Sequence, residues 1–118
     1  MKYTEIHMSN ENIFQDVQRE FTALYPFLKI DFFKTGNRAE RIYPEERIRR
    51  FARKVHCGIV NIDGYRTVAQ VVKDVQDMFL LSAMILRRSG NVWIETSLTA
   101  GWTLEQQNRE GEHISRLS

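Results

Sequence analysis

A single cysteine, Cys57, is all the chain offers for disulfide or thiolate chemistry. It excludes an intrachain disulfide and a multi-cysteine metal cage. No apolar run approaches the roughly 18–20 residues of a membrane span. The N-terminus, MKYTEIHMSNEN, has no hydrophobic signal region. A cytoplasmic protein without a membrane partner is therefore expected. Prolines number only two, apolar residues make up 42% and charged residues 27%. That composition is globular rather than disordered. A length of 118 residues suits one core, so 1–118 reads as one domain.

The chain also lacks the common catalytic signatures. It has no phosphate-binding glycine loop of either usual type. His7, His56 and His113 show no i,i+3 or i,i+4 pairing of the kind helical metal sites use. His56 and Cys57 are adjacent, and neighbours on a strand face opposite sides, which argues against a nucleophile–base pair. A buried, inert Cys57 is the commoner case. No catalytic, cofactor-binding or metal-binding residue is assigned, and a non-enzyme is expected.

The net charge of +2 is unevenly spread. Residues 1–33 sum to −2, residues 34–54 to +5 and residues 55–118 to −1. The central stretch holds Lys34, Arg38, Arg41, Arg47, Arg49, Arg50, Arg53 and Lys54. Such a patch attracts phosphate or an acidic protein surface, although a solvated helix face explains it equally well.

Along the chain, residues 9–25 read as a helix. Ile13, Phe14, Val17, Phe21 and Leu24 recur at helical spacing, Ser9 or Asn10 can cap the start, and Pro26 ends it. FLKIDFF (27–33) alternates as a strand with one buried face. Residues 34–46 contain Gly36-Asn37 and many charges, and read as a flexible loop, with order on its own and order on binding both left open. Pro44 with Glu45 and Glu46 opens a short basic amphipathic helix carrying Ile48, Phe51, Ala52 and Val55. Residues 57–63 form a short strand. Thr67 and Gln70 make a capping box before the regular stripe Val68, Val71, Val72, Val75, Met78 and Phe79. Residues 81–88 and 91–97 form a hairpin about Ser89-Gly90-Asn91. Thr103 and Gln106 repeat the capping box at the start of a final helical turn or two. Gly111 weakens that helix, and 111–118 is expected to fray. No internal repeat is evident. The order is α-β-α-β-α-β-β-(α). It implies an α+β or α/β two-layer domain with a mixed sheet of about four strands. Without the first helix, the βαβαββ order looks like the Alba proteins and the initiation-factor C-terminal domain, a likeness of element order alone.

Residues 86–111 carry Arg87, Arg88, Ser89, Gly90, Trp93, Glu95, Thr96, Trp102, Thr103, Leu104 and Glu105. This RRSGNVWIET…WTLEQQN pattern resembles a family of small uncharacterised bacterial proteins, and the phenylalanine-rich strand at 27–33 fits it. Where that family has an acidic pair before its second Trp, this chain has Ala100 and Gly101. The resemblance implies a single-domain identity and no chemistry.

Two partner classes remain. On alternating strands, Trp93, Met84, Leu86 and Phe33 share one sheet face. If helices cover only the other face, these four form an apolar patch for a protein partner or a second copy of the chain. The competing expectation is that Phe21 and Leu24, or Leu104 and Ile114, cover it. A nucleic-acid module is the alternative. It would use Arg47, Arg49, Arg50, Arg53 and Lys54, together with Arg87 and Arg88 at the hairpin, with Trp93, Phe33 and Tyr43 as stacking surfaces. For Arg87 and Arg88 the plain reading is that they deter edge pairing.

Overall fold

The computed structural model describes residues 4–34, 37–52 and 57–117, without the side chains of residues 37–39 and 57. In chain order these give β1 (Glu5–Ser9), α1 (Phe14–Leu24), β2 (Leu28–Lys34), β3 (Asn37–Arg41), a 3-10 turn (Ile48–Arg50), β4 (Cys57–Asn61), α2 (Val68–Phe79), β5 (Ser82–Ser89), β6 (Val92–Glu95), a second 3-10 turn (Ser97–Thr99) and α3 (Leu104–Leu117). The class is α+β. A four-stranded sheet runs β3-β2-β5-β6, and β1 pairs with β4 in a second sheet. Every described pairing is antiparallel, so the parallel pairs expected of strand–helix–strand units do not form; instead β1 meets β4 and β2 meets β5, each from the other half of the chain.

Periodicity did not single out β1. Ile6 and Met8 are buried while Glu5 and His7 are exposed, the period of a half-buried strand. The segment expected as a loop contains β3. The first helix starts later than expected, because Ser9 closes β1 and its hydroxyl accepts from the Glu11 N–H instead. At Ile13 the Asp16 carboxylate accepts the backbone N–H. The basic helix contracts to one 3-10 turn. Arg47 is extended (φ −78°, ψ 139°) because it bridges Ile13, and the Ile48 N–H donates to Asn12 at 2.9 Å. Arg53, Lys54, Val55 and His56 lie outside the described residues. The tail expected to fray is helical through Leu117.

The elements form one plan used twice, β-α-β-β-turn. Entry to α1 is held by Phe14 N–H to Glu46 O (3.0 Å) and Gln15 N–H to Pro44 O (2.9 Å). Entry to α2 is held by Val68 N–H to Trp102 O (3.1 Å) and Ala69 N–H to Ala100 O (2.9 Å). Ile13 bridges Arg47 as Thr67 bridges Thr103. The 3-10 turn at Ile48 thus occupies the place that α3 fills after Leu104. Because β1 pairs with β4 and β2 with β5, an approximate two-fold relates the halves. The repeat is invisible in the sequence because it is kept in backbone contacts while the side chains differ: Phe14 matches Val68, and Pro44 matches Ala100.

One core joins both halves and includes Met8, Phe14, Val17, Phe21, Phe32, Ile62, Val71, Val75, Phe79, Ile85 and Leu104. Phe14 packs against Phe32 with tilted rings, centroids 5.1 Å apart. α2 keeps the helix its stripe predicts. Thr67 accepts the Gln70 N–H at 3.1 Å while the Gln70 side chain accepts the Thr67 N–H at 2.9 Å. Burying Val68, Val71, Val75 and Phe79 gains about 1.5–3 kcal/mol each. That outweighs the few tenths of a kcal/mol each valine loses in helix propensity. The hairpin forms as expected, with Gly90 at φ 64° in the turn.

Candidate interaction surface

Register divides the four-stranded sheet into two faces. On the inner face Leu28, Ile30, Phe32, Ala83 and Ile85 enter the core. On the outer face Asp31 lies opposite Met84, Lys29 opposite Leu86 and Phe33 opposite Ser82 across β2–β5. Trp93 lies opposite Arg88 and Glu95 opposite Leu86 across β5–β6. The structure therefore brings Trp93, Met84, Leu86 and Phe33 onto one face, as alternation predicted. Phe33 is buried, and Met84, Leu86 and Trp93 are half-buried.

The helices lie on the other side. α1 sends Phe14, Val17 and Phe21 into the core. It touches the outer face at β2, where the Gln18 amide donates to Ile30 O (3.0 Å) and to the Asp31 carboxylate (3.3 Å). α3 meets the inner face through Gln107, which accepts from Arg87 at 2.9 Å. Phe21 and Leu104 both serve the core, so neither covers the outer face.

Charge frames this surface. Asp31 is 9% exposed and sits within 3.8 Å of Lys29 Nζ and 3.7 Å of Arg41 Nη1. A carboxylate so shielded needs these partners, since an isolated buried charge is costly. Lys29 Nζ and Arg88 Cζ stand 5.3 and 5.4 Å from the Trp93 ring centroid, within cation–π range. Trp93 is thereby held as a half-buried plate with two cations beside it.

The duplicated plan puts two clefts at equivalent places. Between α1 and β2, about 380 Å³ is lined by Gln15, Gln18, Arg19, Asp31, Arg41 and Trp93, among others. Between α2 and β5, about 300 Å³ is lined mostly by apolar groups, including Val68, Val72, Ala83, Met84 and Ala100. Asp31 and Met84 occupy matching positions, so one half has a charged cleft where the other has an apolar one.

The arginines expected to act together are separated. Arg87 and Arg88 are strand neighbours and face opposite ways. Arg87 turns inward to Gln107 and lies 5.7 Å from the Trp102 ring. Arg88 stays on the outer face, its Nε bonded to Gly90 O at 2.8 Å. Arg50 pairs with Glu46 at 3.0 Å, Arg47 donates to Glu11 O at 3.3 Å, and Arg49 is exposed. Tyr43, the other stacking candidate, is exposed away from Trp93, on a cleft with Lys34, Glu40 and Phe51.

The catalytic candidates are dispersed. His7 is exposed beside Glu5, and His113 lines a cleft of about 360 Å³ with Trp102, Gln106 and Arg109. Among the described residues, no three His, Cys, Asp or Glu side chains converge to hold a metal ion. One polar cluster has no signature in the sequence, because its members are far apart in the chain. Tyr25 donates to Ile62 O at 2.5 Å, near buried Asp63, whose carboxylate accepts the Thr4 N–H. Burial first, then Asp63 and Glu105, push the Tyr25 phenol up to about 12, so it stays protonated at neutral pH. Among the described residues, no helix is long and apolar enough to cross a membrane. No family model, curated protein or solved structure matches the chain.

Proposed function

We propose that the protein is a small, non-catalytic interaction domain of the cytoplasm, and that the outer face of its four-stranded sheet is the working surface. The observation that carries this reading is the grouping of Trp93, Met84, Leu86 and Phe33 on one face whose opposite side takes the helices. An apolar centre with a charged rim of Lys29, Arg41, Arg88 and Glu95 matches the anatomy of a protein interface. Trp93 is the natural anchor, since flat, prefixed aromatics dominate such surfaces. The nucleic-acid alternative is weaker, because Arg87 faces inward and Arg50 and Arg47 already bind within the chain.

Sedimentation velocity and partner binding of Leu86→Glu and Trp93→Ala test the reading. Both variants should retain the wild-type far-ultraviolet spectrum and lose association, with the chain itself or with a partner, by roughly tenfold or more. Association indifferent to both changes overturns it. So does salt-steep binding of single-stranded RNA that falls when Arg49 and Arg88 become alanine.

A further inference from the structure

The two clefts of the duplicated plan adjoin on the outer face. Asp31 lies opposite Met84 across β2–β5. Asp31 lines the α1–β2 cleft and Met84 the α2–β5 cleft. The approximate two-fold passes between this pair, so matching backbones carry a charged arm on one side and an apolar arm on the other.

The charged arm is cationic. Among the described residues its lining sets Arg19, Lys29 and Arg41 against the single carboxylate of Asp31. Counting Arg88 and Glu95 on the same face leaves that excess unchanged. Lys29 and Arg41 hold Asp31 at 3.8 and 3.7 Å, beyond the roughly 2.7–2.9 Å of a closed charged hydrogen bond. Their N–H groups therefore keep capacity for a second acceptor. Asp31 is buried, whereas Arg19 and Arg41 are exposed, so an arriving anion meets cations first. The apolar arm, about 300 Å³ with Val72, Met84 and Ala100 in its lining, offers such an anion nothing and suits an apolar side chain.

We infer that the outer face takes an acidic segment of a partner protein. The segment sets a carboxylate among Arg19, Lys29 and Arg41 and, within a few residues, an apolar side chain in the α2–β5 cleft. The inference rests on the outer-face reading and names the chemistry of its partner. Charge complementarity selects the occupant. A second copy laid face to face brings its cations against cations or against the apolar arm, whichever way it is turned. A nucleic acid fills the charged arm and leaves the apolar one empty.

Selection of phage-displayed random peptides against the full chain tests this. Peptides of about a dozen residues span roughly 40 Å when extended, enough to cross the face. Selected sequences should carry Asp or Glu close to Leu, Ile, Met or Phe. Fluorescence anisotropy of the labelled synthetic peptides should show binding that weakens with added salt. It should fall by roughly tenfold or more in Arg19→Glu, which sets like charge against the acid, and in Ala69→Glu, which puts a carboxylate into the apolar arm. Ala69 lines that arm, and both positions are exposed on helices, so the variants should keep the wild-type far-ultraviolet spectrum. Selected peptides without an acidic residue overturn the inference. So does binding that either variant leaves unchanged: if Leu86→Glu abolishes it, the outer-face reading stands alone, and if it persists there too, both readings fail. Selection of no peptide also overturns the inference, and the sedimentation of Leu86→Glu then decides the outer-face reading separately. Single-stranded RNA that binds the wild type and not Arg19→Glu, with no peptide selected, assigns the charged arm to nucleic acid instead.

Discussion

Gly111 sits in the middle of α3, where glycine ordinarily costs a helix about 1 kcal/mol relative to alanine. Replacing it with alanine should therefore stabilise an isolated helix. The tertiary structure dictates the opposite. A methyl group there would lie 2.9 Å from Phe27 Cβ, 3.0 Å from Arg87 Cγ and 3.2 Å from the Phe27 carbonyl oxygen. Comfortable carbon contacts are about 3.5–4.0 Å, and none of these atoms is the free end of a flexible side chain. α3 must retreat by roughly half an ångström or more to restore that spacing. The retreat pulls on Asn108 Oδ1 to Phe27 N–H (2.9 Å), Gln107 to Arg87 (2.9 Å) and Ser115 to Gly90 N–H (3.2 Å). Overpacking of this kind costs about 1–3 kcal/mol, and strain on these bonds adds a fraction of about 1 kcal/mol each. Against a propensity gain of about 1 kcal/mol, Gly111→Ala should destabilise by about 1–2 kcal/mol. Urea unfolding followed by circular dichroism and tryptophan fluorescence measures this. Gly101→Ala is the control, since its added methyl meets nothing within 4 Å; it should be neutral or stabilising by up to about 1 kcal/mol. A Gly111→Ala protein more stable than wild type would refute the close approach of α3 to β2 and β5.

Thr96→Val removes the buried hydroxyl that donates to Ile85 O at 2.6 Å; chemical unfolding should show a loss of about 1–3 kcal/mol, against near-zero change if that carbonyl finds another donor. Thr67→Ala and Thr103→Ala each remove an N-cap acceptor from a Gln N–H at 3.1 Å, and each should cost about 1 kcal/mol in the same assay. The Tyr25 phenol is raised in the folded protein from its ordinary value of 10.0 to about 12. The folded state then holds the phenolic proton more tightly than the unfolded chain, so its contribution is present below pH 10 and is lost as pH rises toward 12. Wild-type stability should fall across that window more steeply than that of Tyr25→Phe, and equal slopes would contradict the assignment.

Much of the fold is legible in residue spacing where local and tertiary preferences agree. The valine stripe of α2, both Thr–Gln capping boxes and the glycine turn at Gly90 all appear in place, and the strand expected at 27–33 is found at Leu28–Lys34, buried at Asp31 and Phe33 as well as on the one face expected. The failures lie where tertiary context outweighs local pattern. NRAER has no apolar alternation, yet it pairs along β2 because the chain leaves Lys34 beside an open edge. Ile48, Phe51 and Ala52 keep their helical spacing, but Arg47 is drawn into a bridge with Ile13 and only one turn forms. Gly111 looks like a helix breaker until the backbone of Phe27 is seen against it. For the surface, alternation alone placed Trp93, Met84, Leu86 and Phe33 together. It does not determine which face the helices take, because both faces of β5 carry apolar residues. The same alternation also divides Arg87 from Arg88.

The pairing of β1 with β4 has a consequence for how the chain reaches its fold. Glu5 is opposite Asn61, and Thr4 bonds to Asp63, so the first strand has no strand neighbour until half the chain has been made. β2 finds β3 within its own half, but its longer pairing, six residues with β5, waits for the second half as well. Neither half completes a sheet from its own residues among those described, so loop closure must precede most of the reward. Folding should be slow for a chain of this length and should proceed without a stable half-formed state, as expected for a topology dominated by distant contacts. A nascent chain released before β5 emerges would expose Leu28, Ile30 and Phe32 together. The second half serves the first as an intramolecular chaperone.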